Sequence, residues 1–209
     1  MKDLKQVQHN YQKVIDFENQ LAEFFGAPYA VAVDCCTHGM ELCLRMTKAK
    51  LLTIPRHTYL SVPFLSEKLN IDMKWSDEEW VNYYYLTERI IDAAVYWERG
   101  GYIPGTFMCL SFHWRKHLKL GKGGVILLDN KEEADTLRAL ACDGRDPSYQ
   151  WRNQNIEQVG YRYFMPPLIA EKGLELLPEA IERQPKKWVH TDWPDISKMD
   201  VFQNDWKNS

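Results

Sequence analysis

Apolar residues recur first at helical spacing and then in short unbroken runs. From Asp3 to Phe25, Leu4, Val7, Tyr11, Val14, Leu21 and Phe25 share one helical face, and Gly26 stops the pattern. The spacing predicts an amphipathic helix. Tyr29-Ala-Val-Ala-Val33 contains no charged position and predicts a buried strand. Thr37 then opens a second helix as a hydroxyl N-cap, with Glu41 favourably placed in its first turn. Leu51 to Ile54 predicts a strand halted by Pro55, Tyr59 to Leu69 a helix, and Ile71 to Trp75 an extended segment. Val81 to Leu86 is β-prone, and Arg89 to Ala94 carries a buried strand ending in a carboxylate. Phe107 to Phe112 and Gly124 to Leu128 complete the strands. Asn130 caps a helix through Cys142, with Glu133 placed for a capping box.

Short strands alternating with helices imply an α/β fold with a mostly parallel central sheet flanked by helices. After Pro178 the chain becomes rich in Trp, Pro and charge, with Trp188, Trp193 and Trp206. The expected organisation is one α/β domain over residues 1–177. An irregular arm over 178–209 would then wrap over that body or over a partner.

The 209 residues suffice for one sizeable core, or two small ones. At 13% aromatic residues, much of the buried area must come from rings. The net charge of −3 lacks the basic excess of a nucleic-acid binder, and the run Arg115, Lys116, Lys119, Lys122 is too short to change that. No apolar run approaches the roughly 18 residues that span a bilayer, and the polar first residues differ from a signal peptide. The five cysteines form no CxxC pair, which fits reduced thiols in a cytoplasmic protein. His38, His57, His113 and His117 share no metal-ligand spacing, so no metal is expected. Gly121-Lys-Gly-Gly124 lacks the spacing of a P-loop and reads as a turn feeding a strand.

In open α/β sheets ligands sit beyond the carboxyl ends of the strands. Cys36-Thr37, Asp92, Ser111 and Lys116 all fall at such ends. Taken singly, Lys116 reads as a surface lysine, Asp92 as a strand-end turn residue, Tyr59 as core and Thr37 as a plain cap. Together they supply what pyridoxal 5'-phosphate (PLP) chemistry needs. These are an amine for the imine, a carboxylate for the pyridine nitrogen and a helix N-terminus for the phosphate.

The order of these residues carries a resemblance. Phe25 to Leu44, Ile54-Pro-Arg-His-Thr-Tyr-Leu-Ser61, Ile90-Ile-Asp-Ala-Ala94, Ser111-Phe-His-x-x-Lys116 followed by Gly121-x-Gly-Gly124, and Gly160-Tyr-Arg-Tyr-Phe-Met165 occur in sequence. The set resembles the DegT/DnrJ/EryC1/StrS family of PLP-dependent sugar aminotransferases of fold type I, in a markedly shortened form. The resemblance implies that Lys116 is the Schiff-base lysine and that Asp92 pairs with the pyridinium nitrogen. It also implies that Cys36, Thr37 and Ser111 hold the phosphate and that Tyr59 stacks on the ring. Arg162 lies in the segment that crosses a dimer in relatives, which implies a homodimer with Arg162 reaching the partner's cofactor. Taken singly, Arg162 reads as a surface cation beside Tyr161 and Tyr163.

The chain also departs from the family pattern. Val95 stands where Gln or His is usual near the cofactor's phenolic oxygen, and Arg162 stands where a polar residue such as Asn is usual. A strand-helix stretch between Trp75 and Ile90 and the C-terminal domain are largely missing. The implied activity is transfer of an amino group from a glutamate-like donor to a carbonyl acceptor. That acceptor is a keto-sugar by family analogy, or a small keto acid or aldehyde. The alternative is a non-catalytic relative that binds PLP or a partner protein.

Overall fold

The computed structural model describes residues 2–203, with side chains from residue 11 onward. Leu4 and Val7 therefore fall outside the described side chains, and Trp206 outside the described residues. Helix α1 (Lys2–Phe25) buries Val14, Leu21 and Phe25 as its spacing predicts, and Phe17 with them. It ends at Gly26, whose φ of +72° is the left-handed conformation that favours glycine. Strand β1 (Tyr29–Val33) follows, then helix α2 (Cys36–Thr47).

The cap of α2 corrects an expectation. The N-cap is Cys35, whose Sγ accepts the His38 amide at 3.5 Å, and Thr37 lies inside the first turn. A thiol is a weak acceptor, so sequence preference pointed to the neighbouring hydroxyl. Strand β2 (Leu51–Pro55), helix α3 (Ser61–Leu69) and strand β3 (Asp72–Ser76) come next. Tyr59 thus precedes α3 instead of opening it. Of the β-prone run only Tyr84–Tyr85 forms a strand, β4. Strands β5 (Ile90–Asp92), β6 (Phe107–Ser111) and β7 (Gly124–Leu128) lead to helix α4 (Lys131–Ala141). Asn130 Oδ1 caps α4 on the Glu133 amide at 3.0 Å. The Glu133 carboxylate pairs with Arg89 at 2.9 Å.

The sheet is mixed where a mostly parallel one was expected. Its order is β1-β7-β6-β5-β4, and β7 runs antiparallel to both neighbours, as β4 does to β5. Only β5 with β6, and the separate β2–β3 pair, are parallel. The cause lies in residues 112–123, which join β6 to β7 without a helix. A parallel return needs a crossover of a dozen or more residues, usually helical. The Thr53 amide donates to the Leu86 carbonyl at 3.0 Å and ties the small sheet to the large one beside β4.

Period-two alternation sorts the strands onto two faces. Ala30, Ala32, Met108, Leu110, Val125 and Leu127 face α1 and helix α5 (Pro167–Glu182). Val31, Val33, Phe107, Cys109, Ile126 and Leu128 face α2, α3 and α4. Helix α5 has Pro167 in its first turn, where a missing N–H costs nothing. It runs through Pro178, so the irregular segment starts at Arg183 and not at Pro178. That segment holds two short 3-10 turns, His190–Asp192 and Ile196–Lys198, and helix α6 (Asp200–Gln203). It lies over the chain's own body. The Trp188 amide donates to Asn82 Oδ1 at 2.8 Å, and the Ile196 amide to the Arg56 carbonyl at 2.9 Å.

Candidate active site

Strands β5 and β6 run parallel, with Asp92 opposite Cys109 near their carboxyl ends. The chain leaves both at one sheet edge, and there the Asp92 carboxylate and the Lys116 amine face a common pocket. Asp92 is buried. Its Oδ1 accepts the Ala94 amide at 2.9 Å and its Oδ2 accepts the Tyr84 hydroxyl at 2.5 Å. The Tyr84 hydroxyl also bonds the Thr58 hydroxyl. Burial raises the Asp92 carboxyl above the ordinary range, opposed by these hydrogen bonds and by Lys116. Burial likewise pushes the Tyr84 phenol up, helped by the Asp92 charge.

Lys116 sits in the turn after β6, where its amide donates to the His113 carbonyl at 2.8 Å. Its Nζ lies 5.6 Å from the Trp193 ring centre and 5.9 Å from that of Trp188. Burial pushes this ammonium down, and the charges of Asp92 and Cys36 oppose the shift. Thr58, Tyr59, Trp80, Asn82, Tyr84, Ala94, Val95 and Trp193 complete the lining around Asp92 and Lys116. Tyr59 stands at the rim, 64% exposed. Val95 is in the wall.

The residues expected at a phosphate end gather at the start of α2. Gly124 makes room for this helix end, since a Cβ there would lie 2.6 Å from the Cys36 nitrogen and 2.7 Å from the Leu110 oxygen. Cys36 is buried with its Sγ donating to the Cys109 carbonyl at 3.2 Å. Thr37 Oγ1 is 2.7 Å from Ser61 Oγ, and Ser111 Oγ accepts the His113 amide at 3.3 Å. Arg162 is not brought to this pocket within the chain. Its exposed guanidinium pairs with Asp143 at 3.0 Å.

Beside the α2 start, donor atoms of Asp34, Cys35 and His38 lie within 4.8 Å of one another, a spacing that could hold a metal. The group is internally satisfied. His38 Nδ1 bonds Asp34 Oδ1 at 2.6 Å, and the Lys122 ammonium lies 2.9 Å from Asp34 Oδ2. The His38 ring stacks on Tyr163 at 3.7 Å.

The chemistry of the donor set fits PLP: an amine, a buried carboxylate and hydroxyls at a helix N-terminus. The space between them does not fit a PLP ring. The pocket's free volume is about 30 Å³, room for water but not for a cofactor ring. Tyr84, Thr58, Trp80, Asn82 and Trp193 are pocket residues that the motif pattern did not single out as site residues. Thr58 lies within the Ile54–Ser61 motif, and the Tyr83-Tyr-Tyr85 run and the tail tryptophans were the traces of Tyr84 and Trp193 in sequence.

The sequence profile of the DegT/DnrJ/EryC1/StrS aminotransferase family matches residues 2–66 and 98–189, which leaves out the segment carrying Tyr84 and Asp92. No curated protein matches the chain. Among solved structures, AtS13 from Actinomadura melliaura is similar at 21% identity and a TM-score of 0.71, over 82% of this chain and 61% of that one. The sugar aminotransferase CalS13 from Micromonospora echinospora is similar at 15% identity and 0.66, over 87% and 67%. A DegT DnrJ EryC1 StrS aminotransferase from Brucella abortus is similar at 16% and 0.67, over 81% and 59%. The chain therefore has the α/β fold of the fold type I PLP-dependent aminotransferases. It spans 56–67% of the length of eight solved structures it matches. Among the described residues no helix is long and apolar enough to cross a membrane.

Proposed function

Because the chain belongs to the DegT/DnrJ/EryC1/StrS aminotransferase family, we propose that it is a PLP-dependent aminotransferase acting through Lys116 and Asp92. One observation carries this reading: a buried carboxylate and a half-buried lysine line a single pocket at the ends of parallel strands. Lys116 is the amine that holds the cofactor and moves a proton at the substrate carbon, and its depressed basicity suits both tasks. Asp92 keeps a proton on the ring nitrogen. Cys36, Thr37 and Ser111, at the positive end of α2, take the phosphate. When bound, PLP supplies the electron sink that makes bonds at the amine carbon labile.

The amino donor is a glutamate-like amino acid. The acceptor is a keto-sugar, the class named by CalS13's description as a sugar aminotransferase, or a small keto acid or aldehyde. The chain works as a homodimer with the pocket closed by a second copy, and Arg162 serves the partner's site after leaving Asp143. A second reading, a non-catalytic relative that binds without turnover, is favoured by the small enclosed volume alone.

The test is to add PLP, reduce with borohydride and map the tag by mass spectrometry, then assay amine transfer from glutamate to a panel of carbonyl acceptors. A tag on Lys116 with transfer supports the aminotransferase. A tag without transfer to any acceptor supports the second reading, and a tag on another lysine removes the assignment.

A further inference from the structure

Two of the chain's own side chains, Tyr84 and Trp193, line the pocket that Asp92 and Lys116 share. The Tyr84 hydroxyl gives Asp92 Oδ2 the hydrogen bond that a protonated ring nitrogen would give. Trp193 packs on Trp80, ring centres 5.0 Å apart, and borders the same space 5.6 Å from Lys116 Nζ. What is left holds about 30 Å³, against the roughly 300–1,000 Å³ of pockets that enclose a small molecule.

The two side chains are fixed differently. Tyr84 is part of strand β4, hydrogen-bonded to β5. Trp193 sits on the arm, which joins no regular sheet. Besides the Trp188–Asn82 bond, the arm is tied by the His190 amide to the Trp80 carbonyl at 3.1 Å, by the Trp193 carbonyl to His57 Nδ1 at 2.7 Å and by Arg56 Nη1 to Ser197 Oγ at 2.9 Å, and it buries Ile196 and Phe202. Segments outside the sheet ladders open at lower free energy than sheet cores.

We infer that the arm over residues 183–203 is an internal ligand of the Lys116 pocket, so that docked Trp193 and the cofactor ring exclude one another. This rests on the reading of the pocket as a PLP site. The cofactor enters only those molecules whose arm has lifted. Its apparent affinity is lowered by the fraction in that state.

The experiment titrates PLP into the full chain, Trp193→Ala and Arg56→Ala, each checked for fold by circular dichroism. Binding is read as the absorbance change that Lys116→Ala lacks. Tryptic cleavage at Lys186 and Lys187 is followed with and without PLP. Trp193→Ala is expected to bind about tenfold or more tightly than the native chain, as for an arm docked in nine molecules of ten or more. Arg56→Ala, which removes one of the arm's ties without touching the pocket, shifts affinity in the same direction by less. PLP speeds cleavage of the native arm. Equal affinity of the native chain and both variants overturns the arm's role and leaves the PLP site standing. PLP that protects the arm from trypsin also overturns it, since the arm would then close over the cofactor. Absence of PLP binding in every folded variant overturns both.

Discussion

The Tyr84 hydroxyl donates to Asp92 Oδ2 across 2.5 Å, between two strands that pair antiparallel. Burial makes the Asp92 carboxylate costly, and this bond offsets part of the cost. Tyr84→Phe is expected to destabilise the fold by about 1–3 kcal/mol and to push the Asp92 carboxyl further up. Urea unfolding at two pH values, with Asp92→Asn and the double variant closing the cycle, measures the coupling. Additive single effects would disprove it.

Asp92→Asn keeps the shape and the Tyr84 contact while removing the charge. PLP binding should remain measurable, and the rate of amine transfer should fall by roughly 10²–10³, the scale of a preorganised electrostatic group. Near-normal turnover would make Asp92 a strand-end residue with a structural task only.

Gly124→Ala places a methyl group 2.6 Å from the Cys36 nitrogen. Helix α2 must shift away from the sheet, at a cost of about 1–3 kcal/mol. Phosphate affinity should fall with it, because Thr37 moves with the helix. Melting temperature and PLP titration read the two effects. An unchanged melting temperature would show that α2 is free to slide.

His38 is raised to about 9 from an ordinary 6.5, chiefly by its hydrogen bond to Asp34. A group raised on folding stabilises fully below 6.5, and that contribution is lost as pH rises through about 9. The native chain should therefore lose melting temperature between pH 6.5 and 9.5 more steeply than His38→Gln. Parallel curves would place the histidine's acidity near its usual value.

Mixing Arg162→Ala with Lys116→Ala chains tests the shared site. If both residues serve one pocket from different copies, one site of the mixed dimer carries both changes and the other neither, and activity returns. A monomer by sedimentation that still transfers amines would refute the shared pocket.

Helix α1, strands β1, β6 and β7 and the Asn130 cap were legible because each rests on local pattern. The Asp92–Lys116 pairing was legible because motif order stands in for distance. Tyr84 and Trp193 were not, since their roles depend on where the β4 segment and the arm come to rest in space. The direction of β7 hung on the connection 112–123 lacking a helix. The α2 start moved to Cys35 because backbone geometry overrode the better side-chain cap. Helix α5 was hidden by its sparse buried stripe, Ala170, Gly173, Leu177 and Ala180, and by Pro178 within it.

The arm tryptophans also impose an order in time. Residues 84–116 build the carboxylate, the phenol and the lysine, and the ribosome adds Trp188 and Trp193 later. At roughly 5–20 residues per second, several seconds of translation separate Lys116 from Trp193. A nascent chain that has reached Lys116 but not Trp193 lacks the indole that lines this pocket in the full chain.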